Sequence, residues 1–240
     1  MTTSGTYAFN PSLGEITLYA FNMAGLRSTS LVQEHMQSAR MATNMMLANW
    51  SNKGVNLWAV DLVTVPLVDG QSSYTVDTNT VMILDAYLSI DNGGELTDRI
   101  ITPISRTEYA SYPNKEQQGI STVYWFDRLI GGSSVANPQP SNPSVTIWPV
   151  PNGQATYLKY YRVRQLQDAE FTGGQTVEIP YLWMEAFADG LAYRLAKIWN
   201  PQIAPALKAV ADETYQVAAL QNVEQAATYI SPQVMGYWRP

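Results

Sequence analysis

Residues 98–168 read DRIITPISRTEYASYPNK (98–115), GISTVYWFDR (119–128), VTIWPVPNG (145–153) and TYLKYYRVRQLQD (156–168). Short aromatic and β-branched runs alternate here with Pro, Gly and Asn. That pattern marks strands bounded by fixed turns. It predicts strands over Thr122–Asp127, Val145–Trp148 and Thr156–Val163, with a brief helical turn at Arg106–Tyr112 stopped by Pro113. Upstream, Leu57–Val65 is β-rich and ends at Pro66, Tyr74–Val76 is short, and Val81–Ile90 is longer. Asp91-Asn92-Gly93-Gly94 supplies the positive-φ residues of a hairpin turn into Glu95–Thr102. Residues 131–144 carry three prolines and are no central strand, and Gly173-Gly174 marks the exit.

Both flanks carry a helical period. Ser12 and Glu15 make a capping box, Leu13, Ile16, Ala20, Met23 and Ala24 follow, and Gly25 ends the run. A second start is expected at Ser30 with Gln33, with Val32, Met36, Ala39, Met46 and Trp50 on one face and a stop at Gly54. Met36, Met41, Met45 and Met46 read as adaptable packing. Near the other end Pro180 fits a first helical position, and Trp183, Ala186, Phe187, Gly190, Leu191, Leu195 and Ile198 share a face. Asn200 then caps and Pro201 opens a further helix, with Ile203, Leu207, Val210, Val217 and Gln221 on its apolar side. The fold class is α+β. Residues 1–54 and 180–228 are expected to form one helical bundle around a mainly antiparallel β insertion, a small sheet or barrel, at 55–179. Residues 229–240 are expected to be an extended arm, because Pro232 and Gly236 interrupt any helix.

Of the 240 residues 46% are apolar and only 14% charged, with a net charge of −6. Low charge with abundant Tyr and Trp suits a chain that buries surface against copies or partners, against the alternative of a monomer with a Tyr-rich surface. A net negative chain is poorly suited to tight binding of nucleic acid, which relies on Lys and Arg. Residues 54–178 hold 13 Asp/Glu against 7 Lys/Arg, either a solvated face or a wall past which DNA slides. Cysteine is absent, so there is no disulfide framework. The N-terminus lacks the basic and apolar regions of a signal peptide, and no window reaches the ~18 apolar residues of a spanning helix. The single histidine, His35, lies in a predicted helix beside Glu34 and near Arg40, which suits a helix surface or core. No nucleophile elbow, phosphate loop or dinucleotide fingerprint is present. Asp212-Glu213 are adjacent on a helix and do not face one another. The chain therefore reads as no enzyme, with no catalytic, cofactor or metal residues; a pair of acids assembled across the sheet is the residual hydrolase reading. Asn49-Trp50-Ser51 matches a glycosylation sequon by chance.

Two features suit recognition. Tyr124, Trp125, Trp148, Tyr160 and Tyr161 lie on or beside strands, whose side chains alternate between faces, so core packing competes with exposure for protein or sugar contact. Tyr229, Ile230, Val234, Met235, Tyr237, Trp238 and Arg239 make an aromatic terminal segment that is expected to dock, on its own helices or on a partner.

The chain resembles the head-to-tail adaptor (portal adaptor, head-completion) proteins of short-tailed bacteriophages. The resemblance rests on Thr102-Pro103-Ile104-Ser105-Arg106, Tyr112-Pro113-Asn114-Lys115, Tyr124-Trp125-Phe126-Asp127, Trp148-Pro149-Val150-Pro151 and Tyr160-Tyr161-Arg162-Val163-Arg164, in that order. The runs from Ala48 to Trp58 and from Pro180 to Ala186 extend it to the flanks, whereas residues 131–144 depart from it. It implies the same helix–sheet–helix plan and a homo-oligomeric ring, typically of about twelve copies, below the portal protein. Such a ring extends the DNA channel, helps retain the packaged genome and presents a platform to tail nozzle or hub proteins. Duplex DNA passes through without tight binding, and no membrane is involved. The location implied is the head–tail junction of the virion, and the host cytoplasm during assembly. On this reading the terminal arm docks on the portal, and Tyr124, Trp125, Trp148 and Tyr160 face the tail side. A carbohydrate-binding β module of a tail or surface protein is the alternative.

Overall fold

A computed structural model describes residues 5–6, 9–55, 57–91, 93–128, 142–170 and 174–220. Among these are five α helices and seven strands. The first helix, α1 (Leu13–Met23), opens on the expected capping box: Ser12 N–H donates to Glu15 Oε2 at 2.8 Å and Glu15 N–H to Ser12 Oγ at 3.3 Å. Gly25, at φ +82°, ends it. The helix α2 (Gln33–Asn52) does not begin at Ser30. Residues Ser28–Ser30 form a single 3-10 turn, and the cap is made by His35, whose Nδ1 accepts the Val32 N–H at 3.2 Å. Val32 therefore lies outside the helix and is exposed rather than on its apolar face.

The chain then runs through β1 (Val60–Pro66), β2 (Ser73–Thr75), β3 (Thr80–Asp91), β4 (Leu96–Pro103), α3 (Arg106–Ser111), β5 (Val123–Asp127), β6 (Ser144–Trp148) and β7 (Ala155–Arg164). The strands form one mixed sheet, ordered β1-β7-β3-β4-β5-β6-β2, curled into a half-barrel. All pairs are antiparallel except β4–β5, where the α3 crossover returns the chain in the same direction. The β3–β4 hairpin closes with Gly93 and Gly94 at positive φ and the Gly94 N–H on Asp91 Oδ1 at 2.7 Å. The concave face gathers Tyr74, Ile83, Leu88, Ile101, Tyr124, Ile147, Leu158 and Tyr160 into one apolar cluster.

Residues 165–183 lead back to α4 (Met184–Trp199) and α5 (Ala204–Ala219). Pro180 is extended and precedes a 3-10 turn, Tyr181–Trp183, so α4 starts later than expected. The residue Asn200 ends α4 and does not cap α5; its Nδ2 instead reaches the free carbonyl of Ala24 at the end of α1, 3.2 Å away. A second apolar cluster draws on all four long helices, with Phe21, Met46, Trp50, Trp183, Phe187, Leu191 and Leu195 buried in it. Each such side chain contributes about 1.5–3 kcal/mol relative to exposure. Ile198, Val210 and Val217, expected on apolar faces, are exposed, and Ala204, Ala211 and Ala218 take the buried side of α5.

Candidate functional site

Chemistry-bearing residues collect in three places. The first is the joint between sheet and helices. Arg162 shares a strand face with Tyr160 and Leu158 and is itself buried, a core position that a charge occupies only when paired. Its Nε donates to Asp61 Oδ1 at 2.8 Å, and its Nη1 donates to Asp77 Oδ2 at 2.6 Å and to Thr80 Oγ1 at 3.0 Å. Arg164, two residues on, forms a two-pronged ion pair with Glu178 in the linker to α4. The Glu178 carbonyl accepts the Trp58 indole N–H at 3.1 Å. Hydrogen bonds from the two guanidiniums hold the Asp61 and Glu178 carboxyls below their ordinary range. Burial pushes the Tyr160 phenol up to about 12.

The second is a platform on β5 and β6. Short α3 is capped by Ser105, whose Oγ accepts the Glu108 N–H at 3.1 Å. The rings of Tyr109 and Tyr112 stack on Trp125 and Trp148, with centroids 5.7 Å and 4.4 Å apart. The Trp148 indole N–H donates to the Asn114 carbonyl at 3.0 Å, and Lys115 Nζ donates to the Ala110 and Tyr112 carbonyls at the end of α3.

The third is the outer surface of the helices. Met41 and Met45 of α2 and Arg194, Lys197 and Ile198 of α4 line a groove of about 450 Å³. Its two methionines face solvent, while Met46 on the opposite side packs inside.

Of the residues expected to meet partners, Tyr124 and Tyr160 are buried in the concave cluster. Trp125 and Trp148 are half-buried, with one ring face against Tyr109 of α3 and Tyr112 just after it, respectively. Tyr229, Ile230, Val234, Met235, Tyr237, Trp238 and Arg239 lie outside the described residues. The joint and the two platform tyrosines were missed. The available signal was an arginine at a core-face position of β7, in phase with Leu158 and Tyr160. No described helix is long and apolar enough to cross a membrane.

No curated protein matches the chain. A family model described as SU10 adaptor protein matches residues 27–236, from before α2 to beyond α5, so that both arginines of the joint, the platform and the groove fall within it. The chain belongs to the SU10 adaptor protein family, a family of phage head-tail connectors.

Proposed function

We propose that the chain is a structural subunit that assembles as a ring on the portal, continues the DNA channel, helps retain the genome and offers a platform to tail proteins. The family match over residues 27–236 carries this reading. Portal and tail proteins are the partners that family membership implies, and the head–tail junction is the location. The sheet, at 55–179, would act as an inserted domain on a helical bundle of residues 1–54 and 180–228. Residues 229–240 would dock on the portal through Tyr229, Ile230, Val234, Met235, Tyr237, Trp238 and Arg239. The tail side would be met at the platform, with Trp125 and Trp148 at the surface and Tyr124 and Tyr160 fixing the strands beneath. The stacking of both tryptophans within the chain fits protein contact better than sugar binding. Electron microscopy of the purified chain mixed with portal tests the proposal. A symmetric ring seated on one end of the portal is expected; no association at micromolar concentration would overturn it.

A further inference from the structure

The α2–α4 groove and the outer side of α5 are complementary. Met41, Met45 and Ile198 in the groove, and Val210 and Val217 on α5, are each 43–62 % exposed, an unusual concentration of apolar surface on helices that already have a buried face. The positively charged side chain of Arg194 lies half-buried at the groove and has no ion pair among the described residues. Such a group costs desolvation that a carboxylate from outside would offset. On α5, Glu213 falls three residues after Val210 and four before Val217, so the three side chains form one stripe along the helix. It too has no ion pair among the described residues. Two valines one heptad apart around a central carboxylate have the form of a helix that lies in a groove, with i, i+3 and i+7 as its anchors.

We infer that neighbouring copies of this chain join by seating the α5 stripe Val210–Glu213–Val217 of one copy in the groove formed by Met41, Met45, Arg194 and Ile198 of the next. The inference rests on the ring reading above and specifies its contact. Stripe and groove are different surfaces, so the contact is heterologous, the kind that repeats around a ring. Methionines suit the groove because their unbranched side chains adjust to a helix laid across them. Glu213 supplies the charge that Arg194 lacks.

A charge swap tests this. Arg194→Glu and Glu213→Arg are made singly and together, and assembly on portal is followed by native mass spectrometry beside the unaltered chain. Each single change is expected to weaken assembly by roughly tenfold or more without lowering the melting temperature, and the double change to restore it. Unaltered chains that form rings, together with a double change that restores nothing, would overturn the contact while leaving the ring reading intact. Unaltered chains that never assemble would remove the ring reading and the contact with it. The chain has no cysteine, so Met45→Cys with Val217→Cys gives an independent measurement. Oxidation should produce a ladder of covalent oligomers in assembled samples; rings that yield only monomers would also overturn the contact.

Discussion

Gly190 of α4 faces Met46 of α2: a Cβ there would lie 2.7 Å from Met46 Sδ, and Met46 is itself buried. Alanine improves helix propensity by about 1 kcal/mol, but a Cβ at that distance forces the Met46 side chain to shift, and overpacking costs about 1–3 kcal/mol. Gly190→Ala should therefore lower stability by about 1 kcal/mol, read by urea denaturation, and pairing it with Met46→Ala should relieve the overpacking part. The aromatic group nearby has the opposite problem. Trp50 and Trp183 meet at 5.1 Å, and both contact Tyr215, at 5.9 and 5.8 Å. Trp50→Ala or Trp183→Ala should each cost about 3–5 kcal/mol, and unchanged thermal unfolding of both would refute the packing described. At the joint the expected effect is one of pH. Asp61 and Glu178 are held below their ordinary values of 3.8 and 4.5, so the folded chain binds fewer protons there than the unfolded one. Their contribution is complete above those values and is lost as the pH falls through and below them. Glu178→Gln should flatten the stability profile in that acid range and leave its slope at neutral pH unchanged.

At the level of elements, the strands were legible because alternation, proline and glycine act locally. Pro66, Gly93-Gly94 and Pro113 each fix a boundary without help from distant residues. The capping box of α1 was legible for the same reason. The start of α2 was not: Ser30 and Gln33 match the pattern of a cap, yet the Leu31–Val32 segment is extended, and His35, a residue with no place in the usual pattern, takes the N–H. The buried side of α5 was hidden more deeply. Hydropathy favours Val210 and Val217 as core, but α4 and α5 lie close together, and alanine at 204, 211 and 218 permits that approach. A stripe of small residues and a stripe of valines one heptad long look alike until the neighbouring helix is known. The ion joint depends on residues 61, 77, 162, 164 and 178, which the β1–β7 register, the β2–β3 loop and the linker to α4 bring together.

For the molecule as a whole, two expectations follow from its charge and its end. A net charge of −6, with the acidic excess in residues 54–178, should leave duplex DNA weakly bound even at low salt; tight, salt-sensitive binding in a filter or anisotropy assay would contradict a passive channel wall. Deleting residues 229–240 should leave the melting temperature nearly unchanged and abolish attachment to portal. Unfolding of the shortened chain would assign those residues to its own core instead, and normal attachment would move docking onto the helices. The two apolar clusters, one under the sheet and one among the helices, are separate, and between them stand Arg162, Arg164, Asp61 and Glu178. Arg162 ties β7 to Asp61 of β1 and to Asp77 within the sheet, and Arg164 ties β7 to Glu178 in the linker to α4, all by charge-assisted bonds. Such bonds soften as counterions accumulate. The hold of the sheet on the linker to α4 should therefore weaken as ionic strength rises, which makes that part of the connector's mechanical compliance a property of the surrounding electrolyte.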